Sequence, residues 1–439
     1  MSIDGLLRAR GLNSEVSVVA VTERRLLVLG AAFLLVNTLS LTLVRSSPQD
    51  WLHFAAWLIY AFVGHVLLRL RLPTRDPILF PLAMTMTGWG VILISRLEPA
   101  FADRQVIWHL IAFIVMFAFA WTKTLLRLMR RYRYLLLVSG LSALALTILI
   151  GVNPSDLDGL YGAPALWIAL GSFYVQPSEA LKLILVVFLA SYLAEQYPAL
   201  RAEGLSNPRT RFSLSPRILG PILLMWGVSM VVLIWQRDLG TAILFFLVFL
   251  VLLYIASGYT PLLVFGALMI MVAGLLAYQL FDVVRLRIDI WLNPWLEADG
   301  RAYQVVQSLM AFAAGGVIGQ GVGQGVPYFI PVAHSDFIFA SLAEEWGLIG
   351  VISVIALQTI FAVRGLRIAM QQRGKPFQTL VAVGLCAILI FQTLLIMGGV
   401  LKLIPLTGVT LPFFSYGGSS LVVTFAITGI LLRLSAGET

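Results

Sequence analysis

Read along its length, the chain alternates between long apolar runs and short polar breaks. A helix needs about 20 apolar residues to cross a bilayer. Runs of that order fall at 26–44, 52–68, 77–94, 105–122, 134–152, 177–195, 217–235, 240–257, 261–281, 345–363, 378–400 and 418–433. The pattern predicts an all-α bundle of twelve membrane helices, with both termini on one face because twelve is even. The breaks are unequal. On one alternate set of connections, 153–165, 282–335 and 401–413 are long. Within 282–335, RIDIWLNPW (287–295) precedes AYQVVQSLMAFAAGGVIG (302–319), which suits a short membrane-surface helix. A loop this long in a compact membrane domain is usually functional.

Composition agrees. The 439 residues are 60% hydrophobic and 12% charged, more apolar surface than a soluble domain can bury. The N-terminus, MSIDGLLRARG, is polar, and no cleavable signal peptide is expected. The single cysteine, Cys386, excludes a disulfide framework and a Cys-rich metal site. The net charge of +9 first suggests nucleic acid, but its distribution does not. One set of connections holds 21 of the 30 Lys and Arg residues, the other holds 8, and Lys182 lies within a run. Positive charge collects on the cytoplasmic side, so both termini are expected in the cytoplasm and the long loops outside. The basic residues report topology, and no soluble domain or linker interrupts the pattern.

Several polar groups stand out. In PVAHSDFIFA (331–340), Asp336 lies between the glycine run GGVIGQGVGQG (315–325) and an apolar segment. Helical phasing puts Asp336, Ala340, Ala343, Glu344 and Gly347 on one small or polar stripe, which faces protein or a cavity, with Phe339, Leu342, Trp346 and Ile349 opposite. Two readings stand: Ser335 or Asp336 as a helix N-cap, or Asp336 as a partly desolvated carboxylate with a raised pKa, suited to general-base work. His334, next to it, is within reach of a hydrogen bond to the carboxylate, but a lone loop histidine is more often structural. In QPSEALKL (176–183), Glu179 and Lys182 are three apart and can pair at membrane depth, for structure, function or both. WQRDLGTA (235–242) reads as a turn with Arg237 and Asp238, and LTGVTLPFFSYGGSS (406–420) as broken backbone lining a cavity or as a simple turn. The glycine run fits no dinucleotide motif and reads as a flexible or closely packed loop.

Taken in order, these motifs resemble the SEDS family (shape, elongation, division and sporulation), the RodA/FtsW-type proteins. WLNPW with YQVVQS, the glycine run, AHSDFIFASLAEEWGLIG, QPSEALKL, QRDLGTA and LPFFSYGGSS carry the resemblance, over about residues 76–435. Ten spans are usual in the family, so residues 1–75 are identified as a cytoplasmic N-terminus with two added membrane helices, and 76–439 as the catalytic membrane domain. The resemblance implies a peptidoglycan glycosyltransferase that polymerises lipid II at the outer membrane face, with a class B penicillin-binding protein as partner. It implies Asp336 as catalytic residue, and Arg104, Trp167, Glu179, Lys182, Arg237, Asp238, Gln307, His334 and Ser415 as the substrate site. Arg104, Arg237 and Lys182, with or without a divalent cation such as Mg2+ or Mn2+, would hold pyrophosphate charge; no organic cofactor is expected. The chain departs from the family pattern at Leu166 (usually arginine), Val332 (glutamate), Arg237 (proline) and Ile396 (asparagine). Two other classes fit part of the pattern: a flippase for lipid-linked precursors, and a secondary transporter, for which no inverted repeat is visible.

Overall fold

The computed structural model describes residues 3–45, 47–153, 166–171, 173–205, 227 and 238–437. Its helices track the apolar runs: α1 (Ile3–Arg45), α2 (Gln49–Arg71), α3 (Leu79–Leu97), α4 (Pro99–Trp121), α5 (Leu125–Arg131), α6 (Arg133–Ile150), α7 (Pro177–Leu205), α8 (Leu239–Ser257), α9 (Pro261–Leu280), α10 (Asp282–Leu292), α11 (Tyr303–Gly315), α12 (Ile338–Gln371), α13 (Pro376–Val400) and α14 (Gly418–Ser435). Eleven are long and apolar enough to cross a membrane. The expected span at 217–235 lies outside the described residues. Between α6 and α7 runs an unforeseen antiparallel hairpin, β1 (Ile168–Leu170) with β2 (Phe173–Val175), Ile168 facing Val175. The expected surface helix is α11.

Burial sorts the spans into two sets. In α3, α7, α8, α13 and α14, 72–83% of the apolar window is inside the protein; in α1, α2, α6, α9 and α12 it is 11–33%, with α4 between at 44%. The second set presents Leu, Ile and Val side chains to lipid, which is as apolar as they are. Lipid gives no hydrophobic push between helices, so close backbone packing has to hold them. At the extensive α4–α14 contact, a Cβ on Gly429 would come within 2.3 Å of the Met116 carbonyl oxygen.

Polar ties close the two ends of the bundle. At the end bearing the C-terminus, Arg364 Nε donates to Asp76 Oδ2 at 2.8 Å, and Asp76 N donates to Ser435 Oγ at 2.9 Å. Fully buried Glu23 on α1 accepts from Arg75 Nε at 2.8 Å and meets His65 Nδ1 at 2.6 Å. An unpaired charge there would be costly, so α1, α2 and the entry to α3 are locked together. At the other end, Arg45 Nη1 donates to the Ser95 carbonyl at 2.8 Å, and Trp346 Nε1 donates to Asn37 Oδ1 at 3.2 Å. The two N-terminal helices therefore pack on α3 and α4, and α1 reaches α12.

Helix α12 differs from its pattern. It starts at Ile338, seven residues before the apolar run at 345–363, because Glu344 and Glu345 mask the earlier turns. The helix tolerates both carboxylates because loop N–H groups reach them, Val326 N to Glu344 Oε1 at 2.9 Å and Gly323 N to Glu345 Oε2 at 3.0 Å. The stripe phased from 336 to 347 fails at both ends: Asp336 precedes the helix, and Gly347 has non-helical φ 62° and ψ −160°. Phe339 and Leu342, expected opposite it, are fully buried too, while Ile349 faces out.

Candidate active site

The site is assembled around the turn at Thr407 and Gly408. Three segments distant in sequence arrive there. The start of α8 comes closest: a Cβ on Gly240 would lie 2.4 Å from the Thr407 carbonyl oxygen, so only glycine fits. From α10, Arg287 Nη1 donates to that carbonyl at 3.3 Å. The third is the loop before α12. Gly408, at φ +73°, offers its bare α-carbon to both groups; a Cβ would sit 3.8 Å from Arg287 Nη2 and 3.9 Å from Asp336 Oδ2.

Asp336 is not a helix cap. Phe337 holds the cap position of α12, and no side chain bonds into the first turn. The half-buried carboxylate instead accepts a 3.2 Å hydrogen bond from Ser335 Oγ. Burial pushes it above the usual carboxylate range, opposed by the Ser335 hydrogen bond and the Arg287 charge. Burial likewise lowers Arg287, while Asp336 and Asp238 hold it up.

Asp238 does cap a helix: its Oδ1 accepts from Thr241 N at 3.1 Å at the start of α8. Its other oxygen, Oδ2, is buried without a protein partner. Buried acceptors are ordinarily paired, so the cap is half of its chemistry. Arg237 lies outside the described residues. Arg287, which no sequence motif singled out, is the cation that the fold brings to this turn. Its signal is position, a lone guanidinium in RIDIWLNPW on the face poor in cations.

The rim is aromatic. The His334 ring packs on Phe101 (centroids 4.6 Å) and Tyr416 (5.5 Å), and burial lowers its pKa to about 4. It is therefore neutral at physiological pH, and it makes no hydrogen bond to Asp336; of its two readings, the structural one matches this stacking. Exposed Arg104 stands 6.0 Å from the Phe101 ring and beside the Tyr416 hydroxyl, whose pKa is raised by burial and opposed by Arg104. Ser415 acts as a strut: its Oγ donates to the Ser335 carbonyl at 2.6 Å and accepts from Leu411 N at 2.9 Å.

Below the turn, Lys182 Nζ donates to Glu179 Oε1 at 2.6 Å and to Gln392 Oε1 at 3.3 Å. Gln392 Nε2 continues to the Thr410 carbonyl at 2.8 Å, and Thr410 Oγ1 meets Ser420 Oγ at 2.7 Å. Lys182 is 1% exposed, so its charge is neutralised inside the bundle and reaches the site only through Thr410. Trp167 is half-buried at the entry to the β-hairpin, bridged to Val152, and Gln307 is half-buried on α11. Of the departures, Ile396 is fully buried in α13, and Val332 has φ 53°, a left-handed backbone that a β-branched residue rarely adopts.

The glycine run is closely packed against α12. Gln320 N and Gly321 N donate to the Glu344 and Glu345 carbonyls at 2.9 and 3.0 Å, and Leu348 N and Ile349 N to Gly316 and Val317 at 3.0 and 3.2 Å. The α12 break at Gly347 frees these groups for the loop. Gly319 and Gly347 both have positive φ, and a Cβ on Gly347 would lie 2.3 Å from Gly319 N. Among the described residues, no group of three or more His, Cys, Asp or Glu could hold a metal ion.

A desolvated carboxylate beside a guanidinium, on a turn where loops meet at one bundle end, suits proton abstraction next to an anionic ligand. Comparison with known proteins narrows this. The model of a cell cycle protein family that comprises FtsW, RodA and SpoVE matches residues 78–439. The chain belongs to the FtsW/RodA/SpoVE family. Similar members include the peptidoglycan glycosyltransferase RodA of Mycobacterium tuberculosis, 36% identical over 95% of this chain and 91% of that protein. The probable peptidoglycan glycosyltransferase FtsW of Geobacter sulfurreducens is 32% identical over 82% of this chain and 95% of that protein. A chain from a solved peptidoglycan synthase complex superposes with a TM-score of 0.67 at 25% identity, over 82% of this chain and 97% of that one. The crystal structure of RodA from Thermus thermophilus, at 24% identity and TM-score 0.58, shares the fold over 82% of this chain and 96% of its own. Within the FtsW/RodA/SpoVE family, 82% coverage has the extent of 78–439. At 95% coverage, the match to RodA of Mycobacterium tuberculosis includes part of the N-terminal pair as well.

Proposed function

We propose that the chain is a peptidoglycan glycosyltransferase that polymerises lipid II, the undecaprenyl-pyrophosphate-linked disaccharide peptide, into glycan strands for cell elongation or division. The observation that carries this is Asp336: a carboxylate released from capping, raised in pKa by burial and set beside Arg287. Relatives named peptidoglycan glycosyltransferases match 82–95% of the chain. The excess of Lys and Arg on the opposite face supports both termini in the cytoplasm and the site at the outer face of the bacterial cytoplasmic membrane.

In the transfer, the 4-hydroxyl of one saccharide attacks the anomeric carbon of another. The bond to the pyrophosphate breaks and the lipid pyrophosphate leaves. Asp336 takes the hydroxyl proton. Arg287 and exposed Arg104 are the cations placed to meet pyrophosphate oxygens. Direct displacement turns an α-linked donor into a β-linkage. A divalent cation, Mg2+ or Mn2+, would find Asp336 and Asp238 near the turn and would draw its remaining ligands from substrate and water; no step here depends on it. We read residues 1–75 as an N-terminal addition to a catalytic domain at 76–439, and a class B penicillin-binding protein as the transpeptidase partner. The likeness to a chain of a peptidoglycan synthase complex supports that partner.

The test is lipid II polymerisation by the purified chain, with and without a class B penicillin-binding protein. Glycan strands resolved on a gel are expected. Lipid II that crosses a vesicle membrane while no strands form would replace this reading with a flippase.

A further inference from the structure

A cavity lies away from the site, at the bundle end that carries the C-terminus. It measures about 370 Å3 and opens between the α4–α5 turn, the α12–α13 turn and the end of α14. That volume lies within the range of small-ligand pockets. Five cations line it: Lys123, Arg127, Arg130, Lys375 and Arg433. Among the described residues, no carboxylate lines it. Its inner wall is apolar, formed by Phe119 on α4 and Ile430 and Leu434 on α14, both long enough to span the membrane, with Leu126 of α5 beside them.

Cations gather at the cytoplasmic ends of most membrane proteins, so their number alone decides little. Their arrangement is more specific. Glu195, the nearby acid, is taken by Arg133 (Nη1 to Oε1 2.6 Å, Nη2 to Oε2 2.8 Å) and lies 3.8 Å from Arg130. Arg130 also stacks on Phe377 at 5.1 Å. Among the described residues, Arg127 and Arg433 form no salt bridge. A concave site with convergent positive charge, no acid and an apolar wall has the shape of a lipid headgroup pocket.

We propose that this cavity binds the phosphate headgroup of an anionic phospholipid from the leaflet on that side, with the acyl chains along the lipid-facing side of α4. Arg127 and Arg433 grip the phosphate, and the apolar wall selects a lipid over free phosphate. The inference is independent of the glycosyl transfer; it uses only the assignment of this face to the cytoplasmic leaflet.

The experiment uses the full chain in neutral detergent. Dioctanoyl phosphatidylglycerol, dioctanoyl phosphatidylcholine and inorganic phosphate are titrated separately. Thermal unfolding gives apparent affinity, and native mass spectrometry counts bound lipid. Phosphatidylglycerol is expected to bind saturably and raise Tm; phosphatidylcholine is expected to do neither. Each cation near a headgroup is worth roughly fivefold in affinity. Arg127→Gln and Arg433→Gln should each weaken phosphatidylglycerol by about that factor, and the double variant by about 25-fold. Arg69→Gln, an exposed cation of the same face outside the cavity, should leave binding unchanged. Equal binding of both lipids, an equal loss in Arg69→Gln, or phosphate binding as tightly as phosphatidylglycerol would each overturn the proposal. The lipid-free Tm of each variant shows whether it folds, and either single variant suffices for the test.

Discussion

Replacing Asp336 by asparagine separates the two roles that a carboxylate at the mouth of a helix can play. Asparagine keeps the size and still accepts the Ser335 Oγ hydrogen bond, which is 3.2 Å long in the native protein. No backbone N–H of α12 depends on the side chain. The structural loss is therefore under about 1 kcal/mol. The charge works the other way. Burial raises the folded pKa of Asp336 above its unfolded value. Stability from that group is present at low pH and is lost as pH rises through the folded pKa. Above the unfolded pKa the group therefore opposes folding, and a neutral amide removes the opposition. Asp336→Asn should unfold at the wild-type Tm or slightly above it. Its activity should fall by the contribution of a general base, 10²–10⁴-fold, or about 3–5.5 kcal/mol of barrier. Initial rates of lipid II polymerisation, with Tm on the same preparations, test both halves. Polymerisation within threefold of wild type refutes the base assignment. A large loss of Tm returns Asp336 to a structural role.

Three further outcomes follow from the same contacts. Arg287 lowers the pKa of Asp336 against burial, so Arg287→Met should move the ascending limb of the pH–rate profile to higher pH and reduce the rate; an unmoved limb would show that the two groups do not communicate. Lys182→Met leaves Glu179 buried without its partner, which costs roughly 3–5 kcal/mol; thermal unfolding should show that Glu179→Gln in the same chain recovers part of it. Gly347→Ala places a Cβ at φ 62° and 2.3 Å from Gly319 N. A loss of more than about 2 kcal/mol is expected, read as a lower Tm, and a near-native Tm would show that the loop shifts freely.

Apolar runs of bilayer length and the uneven sharing of Lys and Arg are properties of the chain itself. They gave eleven of the described helices and put the loops 282–335 and 401–413 on one face, where Trp291 Nε1 now bonds the Lys402 carbonyl at 3.1 Å. Ordered motifs singled out Asp336 and the Glu179–Lys182 pair. What pattern could not weigh was partnership across long separations. The cap reading of Asp336 fell because Phe337 takes the cap position of α12, and His334 takes the structural of its two readings because two aromatic rings hold the imidazole. Glu344 and Glu345 look like the end of a membrane run until the N–H groups of Val326 and Gly323 are seen to satisfy them. Arg287 gains its meaning from Thr407, 120 residues away. Hydropathy and charge sign add up residue by residue, so the sequence alone determines which segments cross and which way they face. A carboxylate's protonation, a cation's reach and a helix's true start depend on which atoms come within about 3 Å, and only the packed bundle decides that.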